Sequence, residues 1–308
     1  MKRVPRGFVV GSWGSRLLAK LCPYRYPASG LMVYRTFLAI ALAIWWGSYF
    51  FDAHLWFGPA GVLASDTAAA MLEYEEIPAW QSWSPLWWSD QLWIYYLWII
   101  AGMATAGWVG VGWNGRIGAA IAVLLVIGWA NRIAWLAGPV EPAAVSLLGF
   151  LLIAPGPCWL AWQRGAYTGP AGDADGDSTS RILDALALKA VRVHVWLLLA
   201  AGLASQLAGI VWWRGEAAWW LAASGHSWSL SMPGLFGHPL LVNALTHGMI
   251  GLQVVTLWML ASRSGGRIGI ALGLAYLFSL ALLADHALYA ALLAAALSSY
   301  WPQPIKGE

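Results

Sequence analysis

The polar side chains with chemical potential in this chain are few, and each interrupts a long apolar run. Arg132 stands near the end of one run and Gln206 within another. Asn243, His247 and Gln253 lie along a third, and Asp285 and His286 break a fourth. Histidine, with an unperturbed pKa of about 6.5, is the acid–base group suited to neutral pH. Arginine holds anions and polarised oxygens through its planar fork. Glutamine donates and accepts hydrogen bonds but does not titrate. The candidate catalytic residues are therefore Gln206, His247, His286, Asp285 and Arg132, which a helical bundle could bring face to face in a polar pocket near the outer leaflet. The competing reading is structural: Arg35, Arg132 and His194 snorkel toward headgroups, while Gln206 and His247 bond across helices.

Other chemistry lacks the required patterns. No HExxH, nucleophile elbow or phosphate loop is present, so hydrolase and nucleotide chemistry have no support. No metal is expected, because the Cys/His spacing of a zinc site is missing. Asp173, Asp175, Asp177 and Asp184 imitate calcium-loop spacing. The imitation fails where that loop requires Gly at position six and Glu at twelve, which here are Ser178 and Asp184. A flexible linker fits better.

The elements that must position these residues follow from composition. Residues are 60% hydrophobic and 10% charged, whereas soluble domains carry about 25% charged residues. The fold class is an all-α integral membrane protein, a bundle of about eight transmembrane helices. Each needs roughly 20 apolar residues, giving spans near 31–51, 91–113, 117–136, 143–162, 191–213, 239–262, 267–284 and 286–301, with a turn at Asp285 and His286. An arm at 1–30, a linker at 163–190 and a tail at 302–308 complete the chain. With both termini cytoplasmic, fifteen of the seventeen Lys and Arg fall on the inner side, and only Arg132 and Arg214 fall outside. That bias is the positive-inside rule. It places the chain in the cell (inner) membrane, with Cys22 and Cys158 as free inner thiols.

The tetrapeptide GRIG opens the third span at 115–118 and the seventh at 266–269, as a parallel duplication of four spans would produce. Two outer segments, 52–90 and 214–238, are rich in tryptophan. Trp80, Trp83, Trp87 and Trp88 belong to the first, and Trp219, Trp220 and Trp228 to the second, with Trp212 and Trp213 at its edge. They fit an interfacial aromatic belt, or a cap and docking face for a protein partner in a membrane complex. Membrane lipids are the other expected partner. No nucleic-acid partner is expected.

Three stretches carry a family resemblance: VYRTFLAIALAIWWGSYFF with FGPAGVL at 57–63; NGRIGAAIAVLLVIGWANRIAWLAG with VSLLGFLLIAPG; and AAGLASQLAGIVWWRGEAAWWLA at 200–222. They resemble the HTTM family, the membrane domain of vitamin K-dependent gamma-carboxylase-like proteins. The resemblance implies a quinone or lipid as ligand, and a lysine base at the position that Gln206 occupies. Without that base, it implies a fold retained and carboxylase activity lost. Three functions follow: a structural or partner-binding subunit acting through the Trp-rich loops, a membrane enzyme acting on a quinone or lipid, or a transporter.

Orientation is directly testable. With Cys22 and Cys158 replaced by Ser, single cysteines at Ser82 and Ser227 should react with an impermeant thiol reagent in intact cells. One at Ser178 should react only after permeabilisation, and labelling of Ser178 in intact cells would invert the topology.

Overall fold

Within hydrocarbon the backbone finds no partner except itself, and an α-helix satisfies its N–H and C=O groups within one segment. The computed structural model describes residues 29–59, 61–74, 83–89, 91–134, 138–154, 156, 178–224, 237–262 and 266–301, and every regular element among them is helical. The first part comprises α1 (Ser29–Trp56), α2 (Ser65–Tyr74), the 3-10 turn η1 (Pro85–Trp88), α3 (Leu92–Val111), α4 (Gly115–Arg132) and α5 (Val140–Ile153). The second comprises α6 (Ser178–Ala208), α7 (Ile210–Trp213), α8 (Ala217–Ser224), α9 (Pro239–Ala261), α10 (Gly266–Ala284), α11 (Ala287–Leu297) and the 3-10 turn η2 (Ser298–Tyr300). Six helices, α1, α3, α4, α6, α9 and α10, are long and apolar enough to cross a membrane. The helix α5 and the stretch from α11 through η2 are apolar but shorter.

Several boundaries differ from the sequence expectation. Of the fourth expected span, 143–162, α5 covers the part through Ile153 in a helix of 14 residues, about 21 Å at 1.5 Å per residue, and 157–162 lie outside the described residues. Ala154 turns extended (φ −152°, ψ 111°) because Pro155 follows, and a proline ring disfavours the α conformation in its predecessor. The linker expected at 163–190 gives way to helix at Ser178. Asp184, Lys189 and Arg192 interrupt apolarity without interrupting helix propensity. The result is a helix of 31 residues, about 46 Å long. It stops at Ala208, since Gly209 is extended ahead of α7, so the expected span 191–213 is broken near its end. At Asp285 (φ +55°) the chain does turn between α10 and α11, as expected.

The eight principal helices form two sets of four. Exchanging α1, α3, α4 and α5 for α6, α9, α10 and α11 carries the packed pairs of one set onto those of the other. Thus α1 packs on α3 as α6 does on α9, α3 on α4 as α9 on α10, and α4 on α5 as α10 on α11. The seam obeys the same exchange, with α1 against α11 and α6 against α5. Each GRIG tetrapeptide ends in a glycine that faces the preceding helix. A Cβ on Gly118 would lie 3.5 Å from Trp108 of α3, and one on Gly269 would lie 3.0 Å from Leu260 of α9. The α9–α10 hairpin therefore closes tightly at Gly269, whereas Gly118 meets Trp108 at ordinary contact distance.

Polar bonds fix the helices about the seam. Tyr34 Oη donates to Leu147 O at 2.7 Å, joining α1 to α5. His194 Nε2 lies 3.0 Å from Ser146 Oγ, joining α6 to α5. His194 therefore bonds across helices instead of snorkelling. Arg192 donates through Nε and Nη2 to Ser299 O, and Tyr300 Oη returns a bond to Arg192 O at 2.8 Å.

Within the first half α1 and α3 approach until Gly102 meets the Trp46 indole, where a Cβ would lie 2.3 Å from Cε2. Gly102→Ala should destabilise by about 1–3 kcal/mol through overpacking. Gly107→Ala, in open space on the same helix, should be neutral or stabilising by up to about 1 kcal/mol. Unfolding curves in detergent check both, and equal effects would contradict the packing.

Candidate functional site

The last residue of α4, Arg132, is fully buried. Its position at a helix C-terminus suits a cation, because the backbone carbonyls there carry partial negative charge. Nε donates to Tyr95 Oη at 3.1 Å, and Nη2 donates to Leu63 O at 2.6 Å. The guanidinium carbon stands 4.4 Å from the Trp87 ring centroid, 5.6 Å from that of Tyr95 and 5.8 Å from that of Phe57. Phe57 and Tyr95 stack at 4.6 Å and only 8° from parallel. Nη1 is buried without a hydrogen-bond partner. Arg132 therefore does not snorkel. It is held inside the first half by groups drawn from four chain segments.

The turn η1 covers this arginine, and α4 holds the turn. Ser84 Oγ donates to Gly128 O at 2.6 Å while accepting from Leu86 N at 3.2 Å. Asn131 Nδ2 donates to Trp83 O at 2.8 Å, and Tyr95 Oη donates to Leu86 O at 3.3 Å. Tyr95 thus accepts from the guanidinium and donates to the turn.

Gln206 belongs to a different cluster. It is buried on α6, and its Nε2 donates to Tyr276 Oη of α10 at 3.0 Å. This is the interhelical bond that the structural reading expects. Its Oε1 has no partner. Gln253 repeats the pattern on α9, donating to Leu199 O at 2.7 Å with Oε1 unpartnered. Between these helices Gly202 makes room, since a Cβ there would lie 3.2 Å from Gln253 Nε2.

The single polar pocket expected from the sequence is not assembled. The recorded partners of Arg132 and of Gln206 share no residue. His247 is exposed, and its Nδ1 lies 3.0 Å from Asn243 O of its own helix, so it joins no neighbouring helix through that atom. Asp285 and His286 are exposed at the α10–α11 turn. The physical reason is the division into halves: Arg132 ends α4 in the first, whereas the other candidates belong to helices of the second or to the turn between two of them. Among the described residues no group of three or more His, Cys, Asp or Glu could hold a metal ion.

The tryptophans divide by orientation. Trp83 and Trp88 are exposed and meet edge to face at 6.2 Å; Trp219 and Trp220 are exposed and meet at 5.1 Å. Trp213 is exposed, while Trp87 and Trp212 are half-buried. Trp80 and Trp228 lie outside the described residues. The two segments cap different halves, η1 on α4 and α8 on α9 and α10. Sequence reasoning missed Phe57, Tyr95, Tyr276 and the Leu63 carbonyl, because nothing near them marks a contact made far along the chain.

Compared with family models, curated proteins and solved structures, the chain matches none.

The Gln206–Tyr276 bond predicts a coupling. Tyr276→Phe strands a buried amide and should cost about 1–3 kcal/mol. Adding Gln206→Leu should recover part of the loss, and a double-mutant cycle read by unfolding should give non-additivity of at least about 0.5 kcal/mol. Strict additivity would deny the bond.

Proposed function

We propose that this chain is an eight-span membrane protein of HTTM type, with both termini cytoplasmic and without carboxylase activity. In this reading it acts as a structural or partner-binding subunit of an inner-membrane complex. Its apolar helices establish compatibility with a multi-pass membrane protein. The eight-span count adds two shorter apolar stretches, α5, which completes the first packed set, and α11 with η2, which complete the second.

The observation that carries the reading is the contrast between a non-titrating Gln206 at the expected base position and an aromatic outer surface. Gln206 sits where the family resemblance implies a lysine base, and its amide nitrogen is engaged with Tyr276. A carboxamide does not remove a proton from a hydroquinone. Of the titratable groups that could replace such a base, His247 is exposed on α9, and Asp285 and His286 are exposed together at the α10–α11 turn. By contrast Trp83, Trp88, Trp213, Trp219 and Trp220 present large rings outward. Trp93, at the first turn of α3, and Trp113, beyond its last, are also exposed. The helix between them has 20 residues, about 30 Å, which is the hydrocarbon thickness. Trp93 and Trp113 thus mark the two interfaces, and the Trp-rich outer segments extend beyond this belt as a docking face.

The test uses the intact chain. Native mass measurement after mild-detergent extraction should give one stoichiometric protein partner, which Trp219→Ala together with Trp220→Ala should weaken by at least about tenfold, since buried tryptophans are frequent interface anchors. The purified chain should show no hydroquinone-dependent incorporation of carbon dioxide into glutamyl peptide. A solitary chain, or measurable carboxylation, would overturn this reading.

A further inference from the structure

Arg132 raises a question that the subunit reading leaves unanswered: what balances its charge. An arginine retains its proton in proteins, and a buried ion without a partner costs several kcal/mol even after relaxation. Here two of the guanidinium nitrogens bond to neutral oxygens, Tyr95 Oη and Leu63 O. Nη1 is buried and unpartnered. The surrounding rings of Trp87, Phe57 and Tyr95 supply quadrupoles and no net charge.

The geometry points to an oxyanion seat at Arg132, in which Nη1 binds a phosphate-class oxygen beneath the Pro85–Trp88 turn. The class follows from charge and depth. A neutral carbonyl would fill the hydrogen bond but leave the cation unbalanced, whereas phosphate does both and suits the guanidinium fork. Arg132 ends a helix of 18 residues, about 27 Å from its inner start, which is headgroup level if α4 spans the bilayer. Phosphate reaches that level from the headgroup of an outer-leaflet lipid or from free phosphate. Because Arg132 is enclosed, entry requires release of the turn held by Ser84 Oγ to Gly128 O and by Asn131 Nδ2 to Trp83 O. The depth argument rests on the membrane reading. The charge argument does not.

The experiment uses the full chain, stripped of lipid in a phosphate-free maltoside detergent. Thermal unfolding is followed with added inorganic phosphate, with short-chain phosphatidylglycerol, and with chloride at matched ionic strength. A native mass spectrum taken first shows whether phospholipid persists. Binding to the folded state should raise Tm by at least about 2 °C, with phosphate or phosphatidylglycerol but not with chloride. Persistence of one phospholipid, lost in Arg132→Gln, is the equivalent result for a site already filled. Response to the lipid alone assigns a headgroup, and response to phosphate assigns the free ion. Arg132→Gln should abolish the shift. If that variant does not fold, Arg132→Lys, which keeps the charge but lacks the planar fork, should reduce affinity at least about tenfold. A wild-type chain free of phospholipid and indifferent to both anions overturns the seat, as does an undiminished shift in whichever variant folds. The inorganic-phosphate arm needs no bilayer, so its failure is distinguishable from failure of the membrane assignment.

Discussion

In a bilayer core a protein hydrogen-bonding group has only the protein to turn to, and this constraint governs the arrangement described above. It selects helices for the backbone and then restricts where each polar side chain can sit. Tyr34 reaches Leu147 O, Gln253 reaches Leu199 O, and Arg192 reaches Ser299 O. In each case a side chain on one element finds a backbone carbonyl on another. The first bond joins α1 to α5 within the first half, and the other two join α9 and η2 to α6 within the second, so the same requirement that permits polar groups also sets the packing of the bundle.

The two halves use that requirement differently. The first buries a cation under an aromatic roof, with Trp87, Phe57 and Tyr95 around Arg132. The second buries neutral amides, Gln206 and Gln253, each bonded through nitrogen and open at oxygen. The packed helix pairs correspond between the halves, while the chemistry in their interiors does not. The Trp-rich segments differ as well: one folds into a turn over α4, the other into a short helix over α9 and α10.

Much of the helical framework was legible in sequence because apolarity and turn chemistry are local. The Asp285 turn was visible because the apolar stretch around it is too long for one crossing, and GRIG marked two helix starts because in each case its Arg stands where a connection gives way to an apolar run. Helix that continues past the apolar run was not legible. The α6 start at Ser178 lies in a polar stretch where a hydropathy reading sees only linker. Nor were the contacts of Arg132 legible, since Tyr95, Leu63 and Trp87 lie far from it along the chain and no local pattern announces them. Arginine near a span end suggests snorkelling by default, and only tertiary packing shows the guanidinium turned inward.

The central claim is that the apolar faces of these helices, exposed in the isolated chain, lie against lipid. Leu97 on α3, Leu124 on α4, Val254 on α9 and Phe278 on α10 are all exposed and within apolar helices. Spin labels at these positions, in chain reconstituted into bilayers, report collision with oxygen, which concentrates in hydrocarbon, or with a water-soluble nickel chelate. The account predicts high oxygen and low nickel accessibility at all four sites. High nickel accessibility at these sites would place the faces in water and contradict the membrane bundle itself.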